Sequence, residues 1–123
     1  MLFRSETAKI PAFANYFPEL NHNEMTGFDA RISTAELSEK FHFIFLKDES
    51  DGSRIHKRMA IMERLLKDKR LEMDVIGVKG GNQFHKIFQN LLIADFAAYY
   101  LAKHYHLDPE KVPMVEEFKR LIA

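Results

Sequence analysis

Between Phe41 and Val78 the chain runs through a short apolar stretch, a polar turn, an amphipathic helix pattern and a second short apolar stretch, an order that few folds accommodate. Phe41-His42-Phe43-Ile44-Phe45-Leu46 is of strand length and β-branched or aromatic at most positions. Such a run predicts a strand buried on both faces, as in a parallel sheet. Lys47-Asp48-Glu49-Ser50-Asp51-Gly52 reads as a turn, and Ser53 as the N-cap of a helix. Ile55, Met59, Met62, Leu65 and Leu66 then recur at helical spacing up to about Lys69. Glu63 and Lys67 stand four apart in the favourable polarity. Leu71, Met73 and Val75 alternate with polar residues and lead into Ile76-Gly77-Val78, a second strand. Strand, connecting helix and strand make a βαβ unit.

The flanks are read from their punctuation. Gly80-Gly81 breaks the second strand, and Asn82 can cap a long helix from about Gln83 to His104. Phe84, Ile87, Phe88, Leu91, Leu92, Tyr99 and Leu101 give it a broad apolar side, and its tyrosines and phenylalanines are expected in the core. Asp108-Pro109 reads as another cap. A last helix from about Pro113 is expected to bury Met114, Val115, Phe118, Leu121 and Ile122. Upstream, Ser5 to Lys9 reads as the tail of a helix. Pro11 opens a short helical turn carrying Ala12, Phe13, Tyr16 and Phe17, and Pro18 ends it. Glu19-Leu20-Asn21-His22-Asn23-Glu24 is a polar loop. Two strands alone leave exposed edges, so further strands upstream, a strand hidden in the first third, or a covering partner is expected.

Charge and composition narrow the function classes. Lys plus Arg equals Asp plus Glu at 18 each, so the chain has no global basic field for nucleic acid or an anionic membrane. It has no cysteine, which excludes disulfides and thiolate metal sites. The N-terminus has no apolar signal core, and the apolar stretch around Leu91 to Ala98 is too short to span a bilayer. A cytoplasmic protein without nucleic-acid or membrane partners is expected. His104 and His106 lack a third ligand of clear spacing, and no metal is expected.

The chemistry-bearing residues crowd into the first quarter. Glu6, Lys9, Glu19, His22 and Glu24 cluster between apolar anchors, with Asn21 and Asn23 flanking the histidine. A carboxylate and an imidazole are the minimum set for moving a proton between carbon atoms and opening a sugar ring. Each residue also has an ordinary reading. Glu6 can be a solvated charge at a helix end, His22 a hydrogen-bonded loop residue, and Lys119 an exposed lysine on an amphipathic helix. Asp95 reads as a hydrogen-bonded structural carboxylate, and the basic side of the helix around Lys57, Arg58, Arg64, Lys67, Lys69 and Arg70 as solvated surface. The Gly80-Gly81-Asn82 helix entry can hold an anion on free N–H groups or be a plain turn.

Two stretches go further. Ser5-Glu6-Thr7-Ala8-Lys9-Ile10-Pro11-Ala12-Phe13, followed by Phe17-Pro18-Glu19-Leu20-Asn21-His22-Asn23-Glu24-Met25-Thr26-Gly27-Phe28, resembles the signature of the C-terminal domain of bifunctional phosphoglucose/phosphomannose isomerases, which pair two sugar-isomerase (SIS) domains. Phe43 to Glu49 is similar to that family's strand and acidic turn, and Arg54 to Arg58 to the following helix. Ala94 to Ala102 resembles its long helix, and Val115 to Lys119 its terminal helix. The resemblance covers nearly the whole chain in order. It implies an α/β, three-layer αβα SIS-like domain over residues 1–123, with a short, mainly parallel sheet that is incomplete at its N-terminal side.

The resemblance also implies roles. Glu6 stands at the position of the catalytic base that moves a proton between C2 and C1 of an open sugar phosphate through an enediol. His22 stands at that of the ring-opening histidine, supplied across a dimer interface. Lys119 stands at that of the C-terminal lysine that reaches the site. Substrates would be glucose 6-phosphate and fructose 6-phosphate, and mannose 6-phosphate in addition. No cofactor or metal is implied, and the expected partners are a homodimer mate or an N-terminal SIS domain. Family members are much longer, and their N-terminal Ser/Thr-rich phosphate loops and a reacting-carbon arginine have no counterpart here. A non-catalytic sugar-phosphate-binding or interaction module is therefore the alternative expectation, and a sugar-phosphate sensor a third.

Overall fold

The computed structural model describes residues 2–29 and 31–123, with side chains described from Ser5 onward. It divides into two compact units, residues 15–79 and residues 1–14 with 80–123.

The unit of residues 15–79 holds the sheet. β1 (Phe43–Asp48) and β2 (Met73–Val78) pair in parallel, from Phe43 opposite Met73 to Asp48 opposite Val78, and α4 (Ser53–Asp68) connects them. The predicted βαβ unit is thus present. β1 is shifted two residues toward the C-terminus of the predicted run, because Phe43 N–H bonds the Glu72 carbonyl at 2.9 Å and starts the ladder there. Burial corrects the expectation of a strand covered on both faces. Phe45 is 7% exposed, whereas its neighbours Ile44 and Leu46 are 41% and 45% exposed. Alternation of that kind marks a sheet packed on one face.

The covered face meets α4. Met59, Met62 and Leu66 recur at helical spacing, and with Phe45 and Leu71 they form the buried core. Ser53 does not cap α4 as predicted. Gly52 takes the cap position with extended backbone, its carbonyl accepting from Ile55 N–H at 2.8 Å, and Ser53 becomes the first helical residue. Lys67 Nζ reaches Glu63 Oε1 at 2.6 Å, the expected i,i+4 pair.

At its other end α4 closes in a Schellman motif. Arg70 takes positive φ, its N–H bonds the Lys67 carbonyl at 2.9 Å, and Leu71 N–H bonds the Leu66 carbonyl at 3.0 Å. The motif brings Leu71 onto Leu66 within the core. Upstream, the predicted polar loop is tightly wound instead: a 3₁₀ turn spans Glu19–Asn21, α2 spans Glu24–Gly27, and α3 follows at Ala35–Ser38. Phe17, Leu20, Met25 and Phe28 from this segment pack on the core, with the Phe17 ring edge-on to Phe45 at 5.3 Å.

The other unit is helical. α1 (Leu2–Ala8) packs on α5 (Gln83–His104), and α6 (Pro113–Ile122) ends the chain. The buried residues here are small: Ala8, Ala98 and Ala102. Alanines let two helices approach closely. Asn82 caps α5 as predicted, its Oδ1 accepting from His85 N–H at 2.9 Å. The helical turn expected from Pro11 is not formed. Residues 11–16 lie outside any helix, and Phe13 and Tyr16 stay exposed, so no apolar side was there to bury. Asp108 caps no helix either: its Oδ1 accepts from Glu110 N–H at 3.0 Å in a local turn, and α6 begins only at Pro113. The expected burial of the α5 and α6 apolar residues is also corrected. Phe84, Phe88, Tyr99, Tyr100, Met114, Val115, Phe118, Leu121 and Ile122 are exposed.

One glycine is required by close approach. A Cβ on Gly80 would lie 2.8 Å from the Lys86 backbone nitrogen, and the φ there is 158°. Backbone cannot yield as a side-chain tip can. Gly80→Ala is therefore expected to destabilise the entry to α5 by about 1–3 kcal/mol, read as a lowered denaturation midpoint with loss of helical signal.

Candidate active site

The three residues expected to act are set on different elements. Glu6 lies in the last turn of α1, and its side chain is exposed. Lys119 lies in the last turn of α6 and is exposed. Both belong to the helical unit. His22 follows the 3₁₀ turn in the sheet-bearing unit and is exposed. None of these three side chains is hydrogen-bonded or ion-paired to another described residue.

The surroundings of Glu6 are fixed by Lys9. α1 stops at Ala8, and Lys9 adopts a positive φ of 59°, the left-handed conformation that ends many helices. From there its Nζ donates to the Glu6 backbone carbonyl at 2.5 Å and to the Pro109 carbonyl at 3.2 Å. The end of α1 is thereby tied to the turn that follows α5. Next to Pro109, the N–H of Glu110 bonds the Asp108 carboxyl and holds it below its ordinary pKa, with Lys111 adding to the effect. The Lys9 bonds leave the Glu6 carboxylate untouched, because they use its main-chain oxygen.

The surroundings of His22 are fixed by a densely bonded loop. Leu20 N–H bonds the Tyr16 carbonyl at 3.1 Å, Asn21 N–H the Pro18 carbonyl at 3.0 Å, and His22 N–H the Glu19 carbonyl at 2.9 Å. Asn15 Nδ2 donates to Glu24 Oε1 at 2.6 Å, and Asn23 Nδ2 to Glu19 Oε1 at 3.3 Å. Farther along, Lys69 donates to the Asp29 carboxylate, and that hydrogen bond lowers the Asp29 pKa. The sequence pattern singled out Glu19, His22 and Glu24 but not Asn15. An isolated asparagine before Tyr16 carries no periodic signal, and its reach across nine residues shows only in the fold.

Polar groups also gather at the carboxyl end of β1, where α/β sheets commonly present ligand-binding crevices. Asp48 Oδ1 accepts from Ser50 N–H at 2.9 Å and Ser50 Oγ at 2.8 Å, and His56 Nε2 lies 2.8 Å from the Asp48 carbonyl. At the opposite end of the sheet His42 Nε2 meets Asp74 Oδ2 at 2.9 Å. A depression of about 250 Å³ lies along α5 between Leu92, Asp95, Phe96 and Tyr99 and includes none of Glu6, His22 or Lys119. No group of three or more His, Asp or Glu residues suited to a metal occurs among the described residues. No helix among them is long and apolar enough to cross a membrane.

Two parallel strands joined by a crossover helix make this an α/β domain. Comparison with known proteins makes this specific. The family model described as the bacterial phospho-glucose isomerase C-terminal SIS domain matches residues 5–122. The chain belongs to that family. It is 32% identical over 119 residues to the bifunctional phosphoglucose/phosphomannose isomerase of Thermoplasma volcanium, covering 97% of this chain and 36% of that protein. It is 30% identical over 115 residues to the protein of the same name from Aquifex aeolicus, covering 94% and 35%. The corresponding protein of Caldicellulosiruptor bescii is 31% identical over 118 residues, covering 96% and 34%. The chain therefore spans about a third of the length of the curated relatives it matches. No solved structure matches it.

Proposed function

We propose that this chain is the C-terminal SIS-type domain, over residues 1–123, of an aldose–ketose isomerase acting on glucose 6-phosphate and fructose 6-phosphate, and on mannose 6-phosphate as well. The observation that carries the reading is the family match over residues 5–122, a span that includes Glu6, His22 and Lys119.

Glu6 acts as the base. Its carboxylate takes the proton from C2 of the open-chain sugar and returns it to C1 through an enediol. An exposed carboxylate with no partner among the described residues suits that work once substrate has displaced water from it. His22 exchanges the ring proton in opening the sugar, which an imidazole does near neutral pH. Lys119 places a fixed cation beside the oxygen on which negative charge develops. The substrate phosphate is held by an N-terminal SIS domain, and a homodimer brings His22 to a neighbouring subunit's site. The relatives' names and the share of their length that this chain spans support the first of these partners.

The test is a coupled assay of fructose 6-phosphate conversion to glucose 6-phosphate. The 123-residue chain is assayed alone and together with an N-terminal SIS domain of the same family. Turnover is expected with both parts present. Sugar-phosphate binding without turnover in the combined sample would establish the alternative, a non-catalytic binding module.

A further inference from the structure

The loop that carries His22 holds a polar atom away from water. Asn21 Oδ1 is buried and has no hydrogen-bond partner among the described residues. A buried unpaired oxygen costs free energy, so a loop free to relax would turn that amide toward water. Something must hold Asn21 in place, and His22 follows it directly. The apolar anchors Phe17, Leu20, Met25 and Phe28 fix the loop to the core on both sides. They fasten its base and leave the polar crest to other contacts.

Beyond the backbone bonds of the turn, one side-chain bond spans the crest from end to end. Asn15 Nδ2 donates to Glu24 Oε1 at 2.6 Å, joining the first residue of the segment to the residue two past His22. The Asn15 amide cannot turn away easily, because its other end is occupied: Oδ1 accepts from Tyr16 N–H at 2.8 Å. With Oδ1 pinned to the backbone, Nδ2 is directed at Glu24. The acceptor is a carboxylate, so the bond is charge-assisted and stronger than one between neutral groups. Asn23 Nδ2 to Glu19 Oε1, at 3.3 Å, is a longer bond inside the same crest.

We propose that Asn15 and Glu24 form a clasp that positions His22, so that Glu24 acts as a positioning residue for the histidine and not as a third acid or base. The consequence for turnover rests on the isomerase reading given above, whereas the clasp itself does not.

Two readouts test it. In the 123-residue chain, amide hydrogen exchange is followed by NMR at Leu20, Asn21 and His22. Glu24→Ala and Asn15→Ala are each expected to speed exchange at these amides by about three- to tenfold. Asn15→Ala leaves α2 itself unaltered, so a matching effect separates the clasp from a change in that helix. Glu24→Gln keeps an oxygen for Asn15 Nδ2 and is expected to restore most of the protection. The double variant is expected to match the single ones, since each breaks the same bond. Unchanged exchange at the three amides, or effects that add in the double variant, overturns the clasp. With the N-terminal domain present, Glu24→Ala is expected to lower kcat about tenfold at unchanged KM, with recovery in Glu24→Gln. A raised KM at unchanged kcat overturns the positioning role. Wild-type protein without turnover removes the isomerase reading and leaves the exchange result to decide the clasp.

Discussion

Leu66→Ala is expected to destabilise the sheet-bearing unit by about 3 kcal/mol, within the usual range of about 2–5 for a buried leucine. Leu66 is 1% exposed and is the largest side chain so fully buried among the described residues. It also stands at the third position from the C-terminus of α4, where its carbonyl receives Leu71 N–H and its side chain meets Leu71. Truncation therefore opens a cavity and removes the apolar contact that accompanies the helix stop. With domain stabilities of about 5–15 kcal/mol, such a loss is a large fraction of the whole. Denaturant unfolding followed by circular dichroism reads it as a lowered midpoint. Leu46→Ala is the control. Leu46 is 45% exposed on the open face of β1, and its truncation is expected to cost less than about 1 kcal/mol. Equal losses in the two variants would show that the core does not centre on the α4 face.

The contrast between Leu66 and Leu46 also shows where sequence reasoning holds and where it stops. Apolar periodicity identified α4, β2 and α5, because each repeats its signal over several turns or residues, and the Asn82 cap was placed to the residue. Periodicity reports which side of an element is apolar. It does not report what covers that side, so the expected burial of β1 on both faces and of the α5 and α6 stripes did not follow. The turn expected at Pro11 had a helix-compatible proline and four apolar residues, yet only Phe17 among them found the core. The ends of α1, α4 and α5 were placed to within a residue, although the residues that stop them carry no signal in the sequence. α1, α4 and α5 each lead into a non-glycine residue of positive φ, namely Lys9, Arg70 and His106, where a reader of sequence looks for glycine or asparagine. At the candidate site, Glu6, His22 and Lys119 were singled out through the family resemblance and not through spacing, and their roles rest on the proposed function. Asn15 was legible through neither, since its bond to Glu24 depends on how the intervening loop is wound.

On the proposed isomerase function, Glu6→Gln in the chain combined with an N-terminal SIS domain of the same family is expected to lower kcat for sugar-phosphate isomerisation by about 10³-fold, in the middle of the range for losing a general base. That factor corresponds to about 4 kcal/mol of transition-state stabilisation. Glutamine keeps the size of the side chain and its capacity to accept a hydrogen bond, and loses only the basicity. Substrate affinity should therefore change little, so the loss falls on kcat with KM preserved. Folding should be unaffected for two reasons. The Glu6 side chain is exposed and has no partner among the described residues, and Lys9, which ties α1 to Pro109, bonds the Glu6 main-chain oxygen, which the substitution keeps. The helical circular dichroism of the variant should accordingly match wild type, and a matching spectrum with lost turnover isolates chemistry from structure. Wild-type turnover in Glu6→Gln would remove Glu6 as the base. The exposed carboxylates Glu19 and Glu24 could not simply replace it, because each already accepts a bond from an asparagine of the His22 loop.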